Sequence, residues 1–437
     1  MAGAPTFPSA PSSVLRPPSS FPPARCREAG WFDLVPAYRL ATFRTAVALL
    51  TVVFHVPKFN VFIHDYTASA FHVPPAFAWL PVPGPVLGGL LAGLQYLAAA
   101  GLLLGVGAGT SAWFLAIAGF YVMLLDPEHY SHNAHFHLTL LALIGCARDG
   151  ISLRRLIGGG DADARCPRWP ERLVQIQVAI VFFYAALDKV LSPFWGFSGQ
   201  RLLALQMAEH GLGLNWIQRF NQTAAQEAPA LLSVATIAIE FFLAAAALLR
   251  SLWRVGLVVG FLFISYLEFL VKPGLFAWDM FAAGLLFLPA GDGGWRVPHD
   301  PHCAACRRIG VVLLRLDWLR RLRGVPCEHE AGAPRRMPGL ELVSPTGRTF
   351  RGFDAVRILP AILVGPLFVV MAGARFGGEF LSARGFGPWD VLPYVLLMAY
   401  LALWLPGADR VLEWPWQAAL GAHAKQVGHL DPPSSQG

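Results

Sequence analysis

The sequence predicts an all-α polytopic membrane protein of about eight to ten transmembrane helices, with a small polar insert in its C-terminal third. Three observations carry that prediction. Hydrophobic residues make up 55% of the 437 residues and charged residues only 14%, against roughly 25% charged in soluble domains. Several segments approach the ~20 apolar residues that cross a bilayer as a helix. Arginines gather in alternate connections, as the positive-inside rule expects of a multi-pass chain. The net charge of +7 is thereby spread over loops. No nucleic-acid motif accompanies it, so the expected partner is the lipid bilayer and not nucleic acid.

Residues 1–35 open the chain as a tail rich in Pro and Ser with no long apolar core. That composition argues against a cleaved signal peptide and for a flexible segment. Spanning helices are expected near 41–56, 84–107, 110–126, 136–151, 172–190, 227–249, 252–271 and 275–291. Residues 293–356 turn polar and arginine-rich and read as a small extramembrane insert. Two further apolar segments, 355–373 and 388–405 within a C-terminal membrane region 357–405, return the chain through the bilayer before a second flexible tail at 406–437.

Placing the N-terminal tail in the cytoplasm puts "RDGISLRRLIGGGDADARCPRWPER", the turn around Arg250 and Arg254, and the basic stretch after 292 on the same side. The expected localisation is the cell (inner) membrane, multi-pass, with a cytoplasmic N-terminus. Every cysteine then falls at or near the reducing side.

The same topology collects ionisable groups at the outer end. Lys189, one of four lysines, closes the apolar run "VAIVFFYAALDKVLSPFWGF", and the loop "DPEHYSHNAHFH" shares its face with Lys58 and Lys272. Charged groups near a bilayer core are costly and either pair or function. A lysine at a desolvated position loses affinity for its proton and becomes usable as a base, with neighbouring imidazoles as relays. The alternative is that Lys189 snorkels to the interface beside Trp195, or is neutralised by Asp188. His129, His132 and His135 recur at a spacing that shares one helix face, which admits a metal reading, although an exposed hydrogen-bonded set has the same pattern.

"LATFRTAVALLTVVF" (40–54), "SHNAHFHLTLLAL" (131–143) and "VFFYAALDKVLSPFWGFSG" (181–199) together resemble, in order, segments of the HTTM (horizontally transferred transmembrane) family. That family groups the vitamin K-dependent γ-carboxylases with bacterial relatives, and the resemblance spans about residues 36–292. It implies that Lys189 is the base that deprotonates a reduced quinone and that His135 assists proton transfer or carbanion stabilisation. Asn133, Trp195 and Glu268 are then the candidates for cofactor contacts, Glu268 standing where the family carries a histidine. The peptide-capturing extracytoplasmic domain of the carboxylases has no counterpart, which leaves a related reaction on a lipid or small molecule. A non-catalytic membrane scaffold or transport protein on the same fold is the remaining reading.

Within the insert, "HDPHCAACRRIGVVLLRLDWLRRLRGVP" places Cys303 and Cys306 as a C-x-x-C ahead of an amphipathic helix, while "GGWRVPHDPH" before it reads as a poor strand. Helix N-terminal amides stabilise a thiolate, so Cys303 would be the nucleophile and Cys306 the resolving thiol. Zinc, with Cys327 and His329 as a second pair, and simple burial are the alternatives. With "LELVSPTGRTFRGFDAV" (340–356), the segment resembles the DCC family of small thioredoxin-like proteins. That resemblance implies a thioredoxin-like α/β fold and thiol–disulfide oxidoreductase activity with a cytoplasmic thiol partner.

Overall fold

An apolar helix inside a bilayer gains little from hiding apolar surface, so its neighbours are chosen by close packing and by polar groups that need partners. The computed structural model describes residues 31–58, 73–125, 131–147, 150–158, 164–192, 227–271, 274–288, 294–299, 304–326 and 340–383. At its centre lies α1 (Tyr38–Leu50), which continues through one π-helical stretch, Thr51–His55, to Lys58. This 21-residue span is 72% buried, against 22% for the peripheral span Pro85–Leu104. A π stretch inside a helix often accompanies a functional site.

Around α1 stand α2 (Pro85–Leu104), α3 (Ala108–Leu125), α4 (His132–Cys146), α6 (Trp169–Leu191), α7 (Pro229–Leu248), α8 (Trp253–Val271) and the short α9 (Leu275–Gly284), with α5 (Leu153–Gly158) a single surface turn. α2 begins with Pro at its first position and ends on Gly105 in the left-handed region, φ +76°, the usual Pro-in, Gly-out punctuation. α3 and α4 approach closely because Gly119 lies under Leu138 and Gly145 under Trp113, where a Cβ would overlap either side chain. The short strands β1 (Leu34–Pro36) and β2 (Arg165–Pro167) pair antiparallel and clip the start of α1 to the start of α6. Arg39 adds an ion pair to Glu171 at 3.0 Å and donates to the Leu288 carbonyl at 3.2 Å at the same end.

Six described helices are long and apolar enough to span a membrane, or up to seven if a bent pair is one span. α4, at 15 residues, falls short of that length. The expected continuous span 355–373 is not formed. Phe353–Ile362 (α11) and Val364–Ala383 (α12) meet at Leu363, and the axis turns by 80°. Pro360 inside α11 removes a backbone donor, and Leu363 leaves helical geometry with φ −90°, ψ 44°. The expected span 388–405 lies outside the described residues, as do both tails.

The insert carries a four-stranded sheet of β3 (Trp295–His299), β4 (Leu322–Pro326), β5 (Glu341–Val343) and β6 (Thr349–Arg351) in the order β4-β3-β5-β6. β3 runs parallel to β4, with α10 (Ala304–Leu316) between them in sequence, and antiparallel to β5. The segment expected to make a poor strand is thus a central one. Val297 is buried against Leu313, Leu322, Leu342 and Ala355, and pairing on both edges supplies what the irregular pattern did not announce. α11 packs on this sheet through Ala355 and Ile362. Arg320, at φ +54°, stacks over Tyr38 at 5.0 Å and donates to the Leu156 carbonyl at 3.1 Å, fixing the insert to the end of the bundle that carries β1 and β2.

Candidate functional site

The helices alternate in direction, so Lys189, the start of α4 and the start of α9 lie toward the end away from the insert. Lys189 occupies the last turn of α6. Its Nζ turns back along its own helix to the Ala185 carbonyl at 3.1 Å and donates to Glu240 Oε1 of α7 at 2.8 Å. The two side chains are 15% and 6% exposed. Its partner is therefore Glu240 and not the exposed Asp188, and the side chain follows the helix back toward the bundle instead of snorkelling outward. The cause is local: a carboxylate within an apolar span draws in the nearest cation. Among the described residues no donor reaches the second, buried oxygen, Oε2, of Glu240. Phe183 on α6 stacks edge-on against Phe241 on α7 at 5.8 Å and against the outward-facing Tyr184 at 5.6 Å, so an aromatic flank lines the same helix pair.

His135 sits in the first turn of α4, exposed, with its ring against Phe120 of α3 at 5.5 Å. Asn133 is half-buried beside it and His132 is exposed. The fully buried imidazole is that of His137. Its Nδ1 lies 2.9 and 3.1 Å from the two carboxylate oxygens of Asp279 on α9, and its Nε2 lies 3.1 Å from Thr51 Oγ1. Thr51 donates its one hydroxyl proton to the Val47 carbonyl at 2.8 Å, so Nε2 carries a proton that it gives to Thr51. The Nδ1–Asp279 contact holds a second proton, whichever atom owns it. The pair is net neutral as a unit, the form that burial requires. The ring of His55, at the end of the π stretch, lies 5.2 Å from that of His137.

Glu268 is committed elsewhere. One oxygen accepts from Arg375 Nε of α12 at 3.2 Å, and the other accepts from the backbone N–H of Gly274 at 3.1 Å. It ties α12 to the turn between α8 and α9. His129, Trp195 and Cys303 lie outside the described residues, as does the proposed Cys327–His329 zinc pair. Cys306 stands in the first turn of α10, although its side chain is outside what the structure describes. Among the described residues no group of three or more His, Cys, Asp or Glu side chains is placed to hold a metal ion.

The sequence reading passed over Glu240, Asp279 and Arg375. The first two carried a legible signal, a single carboxylate inside an apolar helix in "TIAIEFFLA" and "LFAWDMFAA". Their partners lie 51 and 142 residues away in the chain, and no local spacing announces them.

Apolar helices of spanning length, held together by ion pairs turned into the bundle, define an integral multi-pass membrane protein. Comparison with known families then narrows the class: the HTTM domain model matches residues 32–291, more than half of the chain, and the protein belongs to the HTTM domain family. No curated protein and no solved structure matches it.

Proposed function

We propose that this HTTM protein is a quinol-dependent, carboxylase-like membrane enzyme whose Lys189 centre handles the proton of a reduced quinone, with His135 assisting proton transfer. The observation that carries the reading is the Lys189–Glu240 pair, a half-buried amine 2.8 Å from a carboxylate whose other oxygen is buried and unengaged. A buried amine hydrogen-bonded to a carboxylate keeps the pair net neutral inside the membrane, the condition that acid–base work there needs. A reduced quinone fits the residues present. It brings hydroxyl donors that an acceptor-only oxygen can receive, and the exposed Phe183 and Tyr184 rings, with Phe241 beside them, offer it an aromatic flank. When bound, it would supply the reducing power for oxygen chemistry. Lys189 and Glu240 would hold and move the hydroxyl proton, and the apolar walls of α6 and α7 would exclude water.

The arginine-rich insert end is assigned to the cytoplasm and the Lys189 end to the outer leaflet of the inner membrane. Purified protein supplied with reduced menaquinone is expected to consume oxygen, and Lys189→Met is expected to abolish that consumption. Wild-type rates in the variant would overturn the assignment.

A second reading is favoured by a separate observation. In the insert, a strand, a helix with Cys306 in its first turn and a parallel strand are followed by an antiparallel hairpin and α11. That order supports a thioredoxin-like thiol–disulfide oxidoreductase segment of the DCC type, with Cys303 and Cys306 as its dithiol and a cytoplasmic thiol as partner. Cys303→Ser is expected to remove fast alkylation by a thiol probe near neutral pH. Unchanged alkylation kinetics would sink this reading.

A further inference from the structure

The geometry points to Glu240 as the residue that recognises the ligand, and to its Oε2 as an acceptor that selects hydroxyl-bearing, reduced rings over their oxidised carbonyl forms. The inference rests on the reading of the Lys189 centre above and names the redox state that this centre takes. Lys189 occupies Oε1 at 2.8 Å, which fixes the carboxylate plane. Oε2 is buried, on a side chain only 6% exposed, and no donor among the described residues reaches it. An acceptor left unsatisfied in an apolar setting is costly, so the site favours whatever brings a donor to it. A carboxylate paired with an ammonium has lone pairs and no hydrogen to offer. A hydroquinone presents an O–H to Oε2, whereas a quinone presents only a carbonyl oxygen, which the carboxylate repels. The neighbouring rings of Phe183 and Phe241 supply edge and face contacts for an aromatic nucleus at the same helix pair. Asp279 and Glu268 differ in having both oxygens within bonding distance of protein donors. Glu171 Oε1, at the opposite end of α6, and Asp317 Oδ1, in the insert, are also buried and unengaged, but both lie away from the Lys189 end.

The test is equilibrium binding of one short-chain menaquinone in its reduced and oxidised forms, measured anaerobically by quenching of protein fluorescence in detergent. A hydrogen bond to a charged acceptor contributes about 1.5–3 kcal/mol, so the wild type is expected to prefer the reduced form by about 10–100-fold. Glu240→Gln replaces an acceptor with a group that also donates, and is expected to erase or invert that preference. Because this variant leaves the Lys189 ammonium without its carboxylate, the double variant Lys189→Gln with Glu240→Gln, which removes both charges together, is measured beside it and is expected to lose the preference too. A wild type that binds both forms equally, or binds neither, overturns the inference, as does a preference that survives in either variant. The oxygen assay separates this from the enzyme reading. Lys189-dependent oxygen consumption with no redox preference sinks the role of Glu240 alone. A preference lost in Glu240→Gln without any oxygen consumption sinks the enzyme and leaves the binding site standing.

Discussion

Replacing Asp279 by leucine tests whether the His137–Asp279 pair is the polar keystone of the bundle. Both side chains are 0% exposed and 2.9 Å apart, so the substitution leaves the Nδ1 of His137 without its partner in an apolar cavity. Breaking a buried ion pair from one side costs about 3–5 kcal/mol. His137→Leu strands the Asp279 carboxylate and should cost a similar amount. If the two losses were independent, the double variant would lose about 6–10 kcal/mol, the sum of those costs. The structure says they are not independent, because each substitution penalises the group the other removes. Replacing both with apolar side chains is expected to cost no more than either single change, since buried pairs exchanged as a unit are often neutral or better. The assay is the unfolding free energy from graded SDS denaturation in mixed micelles, run on all four members of the cycle. Thr51→Val, which removes the acceptor for Nε2, is expected to cost about 1 kcal/mol, the worth of one hydrogen bond. Additive losses in the double variant, or single losses below ~1 kcal/mol, would refute the reasoning.

Two further outcomes follow from named contacts. Arg375→Ala removes the cation that faces Glu268 at 3.2 Å with both side chains buried. It should destabilise the docking of α12 by about 3–5 kcal/mol, seen as protease cleavage after residue 363, and Glu268→Gln in the same chain should restore much of the resistance. In the insert, burial pushes the Asp317 carboxyl above its ordinary value, although the Leu322 N–H and Arg321 hold it partly down. A raised carboxyl pKa means that the folded insert keeps this proton to higher pH than the unfolded chain. The stabilisation it confers is full below the ordinary carboxyl range and is lost as pH rises through the raised value. Asp317→Asn, which keeps an acceptor for Leu322, should flatten that slope, measured as hydrogen exchange of β4 amides corrected for intrinsic rate. An unchanged slope would remove Asp317 as its source.

Much of the architecture was legible because membrane helices announce themselves by length and composition. The runs that became α2, α3, α6, α7 and α8 need no tertiary information to be found, since each must satisfy its own backbone in lipid. The three segments that resemble the HTTM family lie inside the matched region, so the family too was written in the linear chain. Lys189 was conspicuous for the same reason that a charge at the end of an apolar run always is.

Other features were invisible to any local rule. The bend at Leu363 follows from α11 binding the sheet of the insert while α12 returns to the bundle, two demands made by different neighbours of one apolar run. Trp295–His299 becomes a central strand because β4 and β5 flank it, not because of its own pattern. Above all, the sequence marked which ionisable residues were expensive to bury but could not say which would meet. His137 finds Asp279, Lys189 finds Glu240 and Glu268 finds Arg375 only once six helices have packed. Helix formation is settled within one segment by its own hydrogen bonds, whereas the pairing of buried charges depends on distances between segments that are fixed only by the assembled bundle.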